Sequence, residues 1–113
     1  MTIHNHPENL IVVDLPFRES QITDELKAVN EAAGANPACD VIINFARVEI
    51  VTSSNLSNLL ILRSILAEHG HRLLLCNVSV ITKCVFRVAG LDEIFEFAKD
   101  VPATVAPPQT IPD

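Results

Sequence analysis

Three short apolar runs constrain the fold of this chain of 113 residues more than any other feature. They are Leu10–Val13 and the two largely apolar segments Val41–Phe45, which contains Asn44, and Arg72–Val78. Continuous runs of this length are typical of strands that are covered on both faces of a sheet. Because each interval is long enough for the crossover helix that joins parallel strands, the runs predict an α/β fold with a mostly parallel sheet.

Apolar side chains between the runs recur at helical spacing and predict two long helices. In the first helix, we expect Ser20 to be the N-terminal cap and Gly34 to end the helix. The residues expected on its buried face are Ile22, Leu26, Val29 and Ala33. The second helix, about Ser54 to His69, is apolar round most of its circumference and ends before Gly70, so we expect it to be mostly covered.

A shorter helix and an outer strand are predicted to follow the third run. Ser79 is expected to cap this helix, and Gly90 lies just beyond its end. The residues expected on its inward face are Ile81, Cys84, Val85 and Val88. Phe95–Phe97 is the predicted outer strand, and Asp100 is a candidate cap for a last helical turn, in which Pro102 is tolerated.

The alternation of strands and helices predicts one α/β domain over residues 10–106. Its sheet is expected to have four or five strands, mostly parallel or mixed, with helices packed against it. Residues 1–9 are polar and are expected to form a short edge strand at most. Residues 107–113 are rich in proline and are expected to form an extended tail.

Charge and hydropathy exclude several classes of function. Lys and Arg total 8 against 14 Asp and Glu, the formal net charge is −6, and no basic cluster is present. We therefore expect no nucleic acid partner, because phosphate backbones are bound by clustered cations. The apolar runs are too short to cross a bilayer and the amino terminus lacks a secretory pattern, so we expect no membrane insertion and a cytoplasmic location.

Catalytic and cofactor motifs are missing from the sequence. Three glycines cannot form a phosphate-binding loop or a dinucleotide fingerprint, and neither Ser53 nor Ser54 lies in a G-x-S-x-G motif. Cys39, Cys76 and Cys84 lack CxxC spacing, so we interpret them as reduced packing residues. The histidines at positions 4, 6, 69 and 71 have no completing ligands nearby in sequence. We expect no enzymatic activity, no cofactor and no metal.

The segment Val51–Leu56 places two serine hydroxyls, those of Ser53 and Ser54, where the second helix starts. A helix start has unpaired backbone N–H groups and partial positive charge, so a serine there can cap the helix or carry a phosphate. Spacing alone favours simple capping, which is the common role of serine at this position.

Three segments, in this order and spacing, resemble the STAS domain and specifically the bacterial anti-sigma factor antagonists. The segments are Val41–Val48, Thr52–Leu56 and Ala89–Phe95, and the resemblance extends over about Leu10–Val105. In that family the middle segment usually reads Asp-Ser-Ser-Gly-Leu, and the last resembles Gly-Leu-Asp-x-x-Phe.

The resemblance implies that Ser53 is phosphorylated by a partner anti-sigma factor that is also a serine kinase. Ser54 is the alternative acceptor and otherwise the expected cap of the helix. The unphosphorylated protein would hold the kinase and free the sigma factor, phosphorylation would break the complex, and a phosphatase would restore it. The residues expected to contact the partner are Phe17, Glu19, Thr52, Ser53, Ser54, Asn55 and Ser57.

Departures from the family pattern support a second hypothesis. Thr52 and Asn55 stand where the family often has Asp and Gly, and Asn44 stands where it often has Asp. The alternative is a STAS module that acts as a non-phosphorylated interaction scaffold in a stress-signalling or membrane-transport complex. A small enzyme or nucleotide-binding domain rests on the strand and helix pattern alone. A phospho-aspartate receiver domain is a distant alternative, because its acceptor Asp is missing at Asn44 although Asp14 and Lys83 are present.

Overall fold

The computed structural model describes the backbone of residues 2–6 and, with their side chains, residues 10–35 and 39–99. Strands and helices alternate along these residues, which confirms the predicted α/β class. The elements are β1 (Thr2–His6), β2 (Leu10–Asp14), α1 (Glu19–Ala35), β3 (Asp40–Asn44), α2 (Ser53–Ala67), β4 (Leu73–Cys76), α3 (Val80–Val88) and β5 (Glu96–Ala98). The predicted last helical turn at Asp100 and the tail at residues 107–113 lie outside the described residues.

The strands form one five-stranded sheet in the order β1-β2-β3-β4-β5. β2 to β5 are parallel, and β1 pairs with β2 in the antiparallel direction at one edge. The register pairs Val12 with Ile42, Ile42 with Leu74, and Leu74 with Glu96. Because β2, β3 and β4 run in the same direction, their carboxyl ends lie together at one edge of the sheet, which we call the carboxyl edge.

Side chains of the central strands alternate between two apolar clusters, one on each face of the sheet. Val41 and Ile43 of β3 belong to the larger cluster, whereas Ile42 belongs to the smaller one. All three described helices contribute their buried apolar residues to the larger cluster, so they pack on the same face. The predicted buried face of α1 is confirmed, with Ile22, Leu26, Val29 and Ala33 each about 1% exposed.

Two helix boundaries differ from the prediction. α1 begins at Glu19 and continues to Ala35, so Ser20 lies in its first turn and Gly34 lies inside the helix. α2 begins one residue earlier than predicted, at Ser53. Gly70 has a φ of 75°, a left-handed conformation that glycine adopts without steric cost, and it follows the end of α2 as predicted.

α2 is less covered than its composition predicts. Leu59, Leu62 and Leu66 are buried, but Leu60 and Ile61 on the outward face are exposed. The helix lies in the outer layer of a two-layer domain, and no described element covers its outward face. Apolar composition therefore does not mean burial on all sides here.

The predicted inward face of α3 is wrong for three of its four residues. Ile81, Cys84 and Val88 point outward and are exposed and Val85 is half-buried, whereas Thr82 and Phe86 are buried. Phe86 determines the orientation of α3. It is fully buried and contacts Phe95, which lies just before β5, and Phe97, which lies within β5. Its ring centroid lies 5.5 Å from that of Phe95 and 5.4 Å from that of Phe97, both in edge-to-face geometry.

The cap and end of α3 agree with the prediction, but one cysteine does not. Ser79 accepts a hydrogen bond from the backbone N–H of Thr82, and Gly90 has a φ of 76° just beyond the helix. Cys39 and Cys76 are buried, as expected of packing residues, but Cys84 is exposed with the outward face of α3. In the part of the chain that the structure describes, no helix is long and apolar enough to cross a membrane.

Candidate functional site

A row of polar side chains runs across the carboxyl edge of the sheet. The amide nitrogen of Asn44, at the end of β3, donates to a carboxylate oxygen of Asp14 at the end of β2, 2.9 Å away. The amide oxygen of Asn44 accepts from the side chain of Asn77, 2.9 Å away, and from the backbone N–H of Ala46. Asn77 has a φ of 57°, a left-handed conformation that asparagine tolerates better than most residues. The row links the ends of β2, β3 and β4, from which the loops to the helices leave.

This row explains the asparagine at position 44. An aspartate there would offer no N–H to Asp14, and the two carboxylates would lie within hydrogen-bonding distance of each other. Asn44 instead donates to one strand end and accepts from the next. The departure from the family pattern therefore has a structural reason.

The start of α2 is closed by a capping box formed by Thr52 and Asn55. The hydroxyl of Thr52 accepts from the backbone N–H of Asn55 at 3.1 Å, and the side-chain oxygen of Asn55 accepts from the backbone N–H of Thr52 at 3.0 Å. These two bonds satisfy N–H groups that a helix start otherwise leaves unpaired. The prediction that Ser54 caps the helix is wrong, because Thr52 is the cap.

Asn55 also attaches α2 to α1. Its side-chain nitrogen donates to the hydroxyl of Thr23 at 3.1 Å, and the residue is only 1% exposed. One turn later, Asn58 donates to the backbone carbonyl of Ser54, and its own backbone carbonyl accepts from the side chain of Asn30 of α1. The amino-terminal part of α2 is thus held against α1 by polar contacts at two levels.

Ser53 and Ser54 occupy the first two positions of α2 and are both exposed. Neither hydroxyl has a hydrogen-bond partner among the residues that the structure describes, since Thr52 and Asn55 form the cap. Ser57 lies one turn after Ser53 on the same exposed side of the helix. The arrangement presents hydroxyls to solvent at the positive end of a helix that is already capped.

The loops beside these serines expose two large apolar side chains. Phe17 lies between β2 and α1, Ile50 lies between β3 and α2, and both are more than half exposed. Glu19 is the exposed first residue of α1. Both loops leave the carboxyl edge, and the Thr23–Asn55 hydrogen bond shows that the helices after them meet there. Exposed apolar residues next to polar ones are typical of protein interaction surfaces.

The structure separates the predicted site residues into two groups. Phe17, Glu19, Ser53, Ser54 and Ser57 are exposed, the first four at the carboxyl edge and Ser57 one turn into α2. The other group consists of Thr52, which is half-buried, and Asn55, which is buried. Together they form the cap of α2 beneath that surface.

Sequence reasoning missed Ile50, because it lies between Val48 and Val51, which are buried, and the apolar pattern of this loop does not show which of the three is exposed. It also missed the capping box, whose Thr-x-x-Asn pattern differs from the usual Thr-x-x-Glu or Thr-x-x-Gln. Within residues 10–35 and 39–99, no group of three or more His, Cys, Asp or Glu side chains is arranged to hold a metal ion.

The sequence profile of the STAS domain matches residues 16–104, which is most of the chain and includes every exposed residue of the candidate site. The chain belongs to the STAS domain family. No curated protein sequence matches it.

Solved structures of STAS proteins superpose on this domain. An anti-sigma-factor antagonist (STAS) domain protein from Planctomyces limnophilus has a TM-score of 0.74 at 22% identity, over 88% of this chain and 90% of that one. The anti-sigma factor antagonist SpoIIAA in its unphosphorylated form has a TM-score of 0.69 at 18% identity, over 88% of both chains. SpoIIAA, a Bacillus cell fate determinant, also matches in its phosphorylated form, with a TM-score of 0.67 at 22% identity over 87% of this chain and 90% of that one.

A sulfate transporter family protein from Wolinella succinogenes shares the fold as well. Its TM-score is 0.63 at 20% identity, over 80% of this chain and 76% of that one. At these identities the likeness establishes the STAS fold, which antagonists and a transporter family protein have in common.

Proposed function

We propose that this STAS domain is an anti-sigma factor antagonist whose binding is switched off by phosphorylation of Ser53. The single observation that carries the proposal is the exposed Ser53 hydroxyl, which lies at the first position of α2 and takes no part in the cap. The similarity to SpoIIAA, which has a phosphorylated and an unphosphorylated form, supports it. The protein is the substrate of a serine kinase and has no catalytic role of its own.

The unphosphorylated surface suits a protein partner. Phe17 and Ile50 supply apolar area beside the serines, and Glu19 supplies a charge at the rim. Apolar anchors surrounded by polar groups are common at protein interfaces. We propose that an anti-sigma factor with serine kinase activity docks here and transfers the γ-phosphoryl group of ATP to Oγ of Ser53, which loses its proton, while ADP leaves.

Phosphorylation would then act on the interface and leave the fold unchanged. A phosphate on Ser53 adds about −1.5 to −2 charges, which the start of α2 tolerates because of its partial positive charge. The capping box of Thr52 and Asn55 does not involve the Ser53 hydroxyl, so it persists in both states. A docked partner surface, in contrast, has to desolvate the added charge, which weakens the complex. Removal of the phosphate by a phosphatase would restore binding, and we place both reactions in the cytoplasm.

Incubation with ATP and the anti-sigma serine kinases of the same organism tests the acceptor. We expect intact-mass spectrometry to show a single phosphate, absent from the Ser53→Ala protein and present in the matched Ser54→Ala and Ser57→Ala proteins. All three serines are exposed on α2, so these variants keep the cap and the buried core. A phosphate that persists in Ser53→Ala, or none in the native protein, would contradict the assignment.

The scaffold hypothesis is the second candidate, and the Wolinella succinogenes structure favours it because a transporter family protein has the same fold. The Ser53→Glu protein distinguishes the two. A switch predicts that this carboxylate weakens kinase binding by about ten- to a hundredfold, since a charge at a docked surface costs desolvation. A scaffold predicts unchanged binding of the same partners, which calorimetry or surface plasmon resonance would show.

A further inference from the structure

A pocket of about 220 Å³ lies where the parallel strands begin, at the opposite edge of the sheet from Ser53. We call it the amino-edge pocket. Its wall contains four polar side chains and two large apolar ones, which are Arg63, His71, Arg72, Leu73, Ile94 and Glu96. Liquid water takes about 30 Å³ per molecule, so this volume equals about seven waters. Pockets for drug-sized ligands have roughly 300–1,000 Å³, so the pocket suits a smaller molecule.

The amino-edge pocket concentrates positive charge in an acidic chain. Lys and Arg total 8 against 14 Asp and Glu in the whole sequence. In the pocket, however, Arg63 and Arg72 stand against Glu96, which is the one carboxylate among the described lining residues. A concave site with an excess of one sign of charge attracts ligands of the opposite sign. The pocket therefore favours an anion.

Two groups that would repel an anion already have partners. Nε of Arg72 donates to one carboxylate oxygen of Glu96 at 3.1 Å, and an Nη nitrogen of the same guanidinium donates to the other oxygen. This bidentate pair offsets the charge of Glu96. The carboxyl end of α2 has partial negative charge, but the carbonyls of Leu66 and Ala67 accept from backbone N–H groups of the following turn. Neither group leaves the pocket negative.

Arg63 supplies the positive charge that no other described group offsets. Its Nε donates to the backbone carbonyl of Ile94 at 3.0 Å, which holds the guanidinium against the loop before β5. Within the described ranges, neither Nη nitrogen of Arg63 has a hydrogen-bond partner, and no carboxylate forms an ion pair with it. A guanidinium has five N–H groups in a planar fork that matches carboxylate and phosphate oxygens. Four of these N–H groups are therefore left for water or a ligand.

His71 presents one ring nitrogen that takes no part in its contact with Asp40. Its Nδ1 lies 3.0 Å from a carboxylate oxygen of Asp40, and the same oxygen accepts from the backbone N–H of Arg72 at 2.9 Å. Because an ionised carboxylate can only accept, Nδ1 carries the proton. Nε2 has no hydrogen-bond partner among the residues that the structure describes. Asp40 thus orients the ring and leaves Nε2 as a further polar atom at the pocket.

We propose that the amino-edge pocket binds a small molecule through an oxyanion group, a carboxylate or a phosphate, with Arg63 as the main anchor. The two Nη nitrogens of Arg63 can donate to two oxygens of such a group. The N–H groups of Arg72 outside its ion pair and Nε2 of His71 supply further polar contacts. Leu73 and Ile94 contact the apolar part of the molecule. The proposal does not depend on the phosphorylation switch, which lies at the other edge of the sheet.

Nuclear magnetic resonance titration of the ¹⁵N-labelled full chain tests the site, with inorganic phosphate and acetate as separate probes. Sodium chloride keeps the ionic strength constant, so that general screening does not change. We expect saturable shifts of the Arg63 Nε–H signal and of the backbone amides of Arg72 and Leu73, with a dissociation constant of about 1 mM. Saturation by phosphate alone would assign the pocket to phosphorylated molecules, and saturation by acetate alone would assign it to carboxylates. Either result supports the oxyanion site.

Arg63→Gln is the decisive variant, because it removes the charge and the fork at an exposed position and keeps the buried core. We expect it to weaken binding by about ten- to a hundredfold, the usual effect of losing hydrogen bonds to a charged group. The matched control is Arg87→Gln, which removes an exposed arginine of α3 and should leave the affinity unchanged. Shifts that do not saturate, shifts confined to Ser53 and Ser54, or equal affinity in Arg63→Gln and the native protein would overturn the proposal.

Discussion

Replacement of Asn55 by alanine is expected to lower the free energy of unfolding by about 2 to 4 kcal/mol, a large part of the stability of a domain this size. The substitution removes one acceptor of the capping box and leaves the backbone N–H of Thr52 without its partner. It also removes the hydrogen bond to Thr23 that attaches α2 to α1, at a position that is 1% exposed. Loss of one half of the capping box and of a buried polar contact therefore coincide in one side chain, while the bond from the backbone N–H of residue 55 to Thr52 remains.

Ser54→Ala is the matched control, because Ser54 is the neighbouring exposed residue and its hydroxyl has no described partner. We expect it to change the free energy of unfolding by about 0.5 kcal/mol or less. Urea unfolding followed by far-ultraviolet circular dichroism gives both values, since the chain contains no Trp or Tyr for fluorescence. Equal losses in Ser54→Ala and Asn55→Ala would contradict the assignment of the cap.

Phe86→Ala is expected to lower the free energy of unfolding by about 3 to 5 kcal/mol. Phe86 is fully buried and is the side chain through which α3 meets Phe95 and Phe97. Alanine would leave a cavity between α3 and β5 and remove two edge-to-face ring contacts. The shift in urea midpoint, with the slope of the transition unchanged, is the measurement.

Val88→Ala in the same helix distinguishes the observed orientation of α3 from the one that periodicity predicts. Val88 is 88% exposed, so its truncation should cost about 0.5 kcal/mol or less. If periodicity were right, Val88 would be the costly position and Phe86 the tolerant one. A reversed order of the two losses would therefore contradict the structure of this helix.

The strands and α1 could be predicted because each has one dominant apolar pattern. Val41–Ile43 is apolar at every position, as the middle of a strand covered on both faces must be, and α1 has a single apolar stripe from Ile22 to Ala33. α3 has apolar residues on two sides, and periodicity cannot choose between them. The choice depends on where Phe86 finds other aromatic rings, which is a contact between distant parts of the chain.

The position of the candidate site was predictable, whereas its internal chemistry was not. A hydroxyl pair at a strand-to-helix turn is visible at Ser53 and Ser54 in the sequence. The roles of Thr52 and Asn55 required the partner Thr23 on α1, and the role of Asn44 required Asp14 and Asn77 on neighbouring strands. Asn44, Thr52 and Asn55 depart from the family pattern, yet each forms hydrogen bonds in the folded chain. Most of their partners are distant in the sequence, so these bonds could not be predicted from it.

The strand order, which is the same as the order along the chain, has a consequence for synthesis. Each described strand after the first pairs with the one made just before it, as Ile42 does with Val12 and Leu74 does with Ile42. No strand has to insert between two that already exist, so each strand and its helix can join the growing sheet as they leave the ribosome. During translation, the edge that awaits a new neighbour belongs to the strand most recently made. The interval in which unpaired backbone is open to a wrong partner is thus kept short.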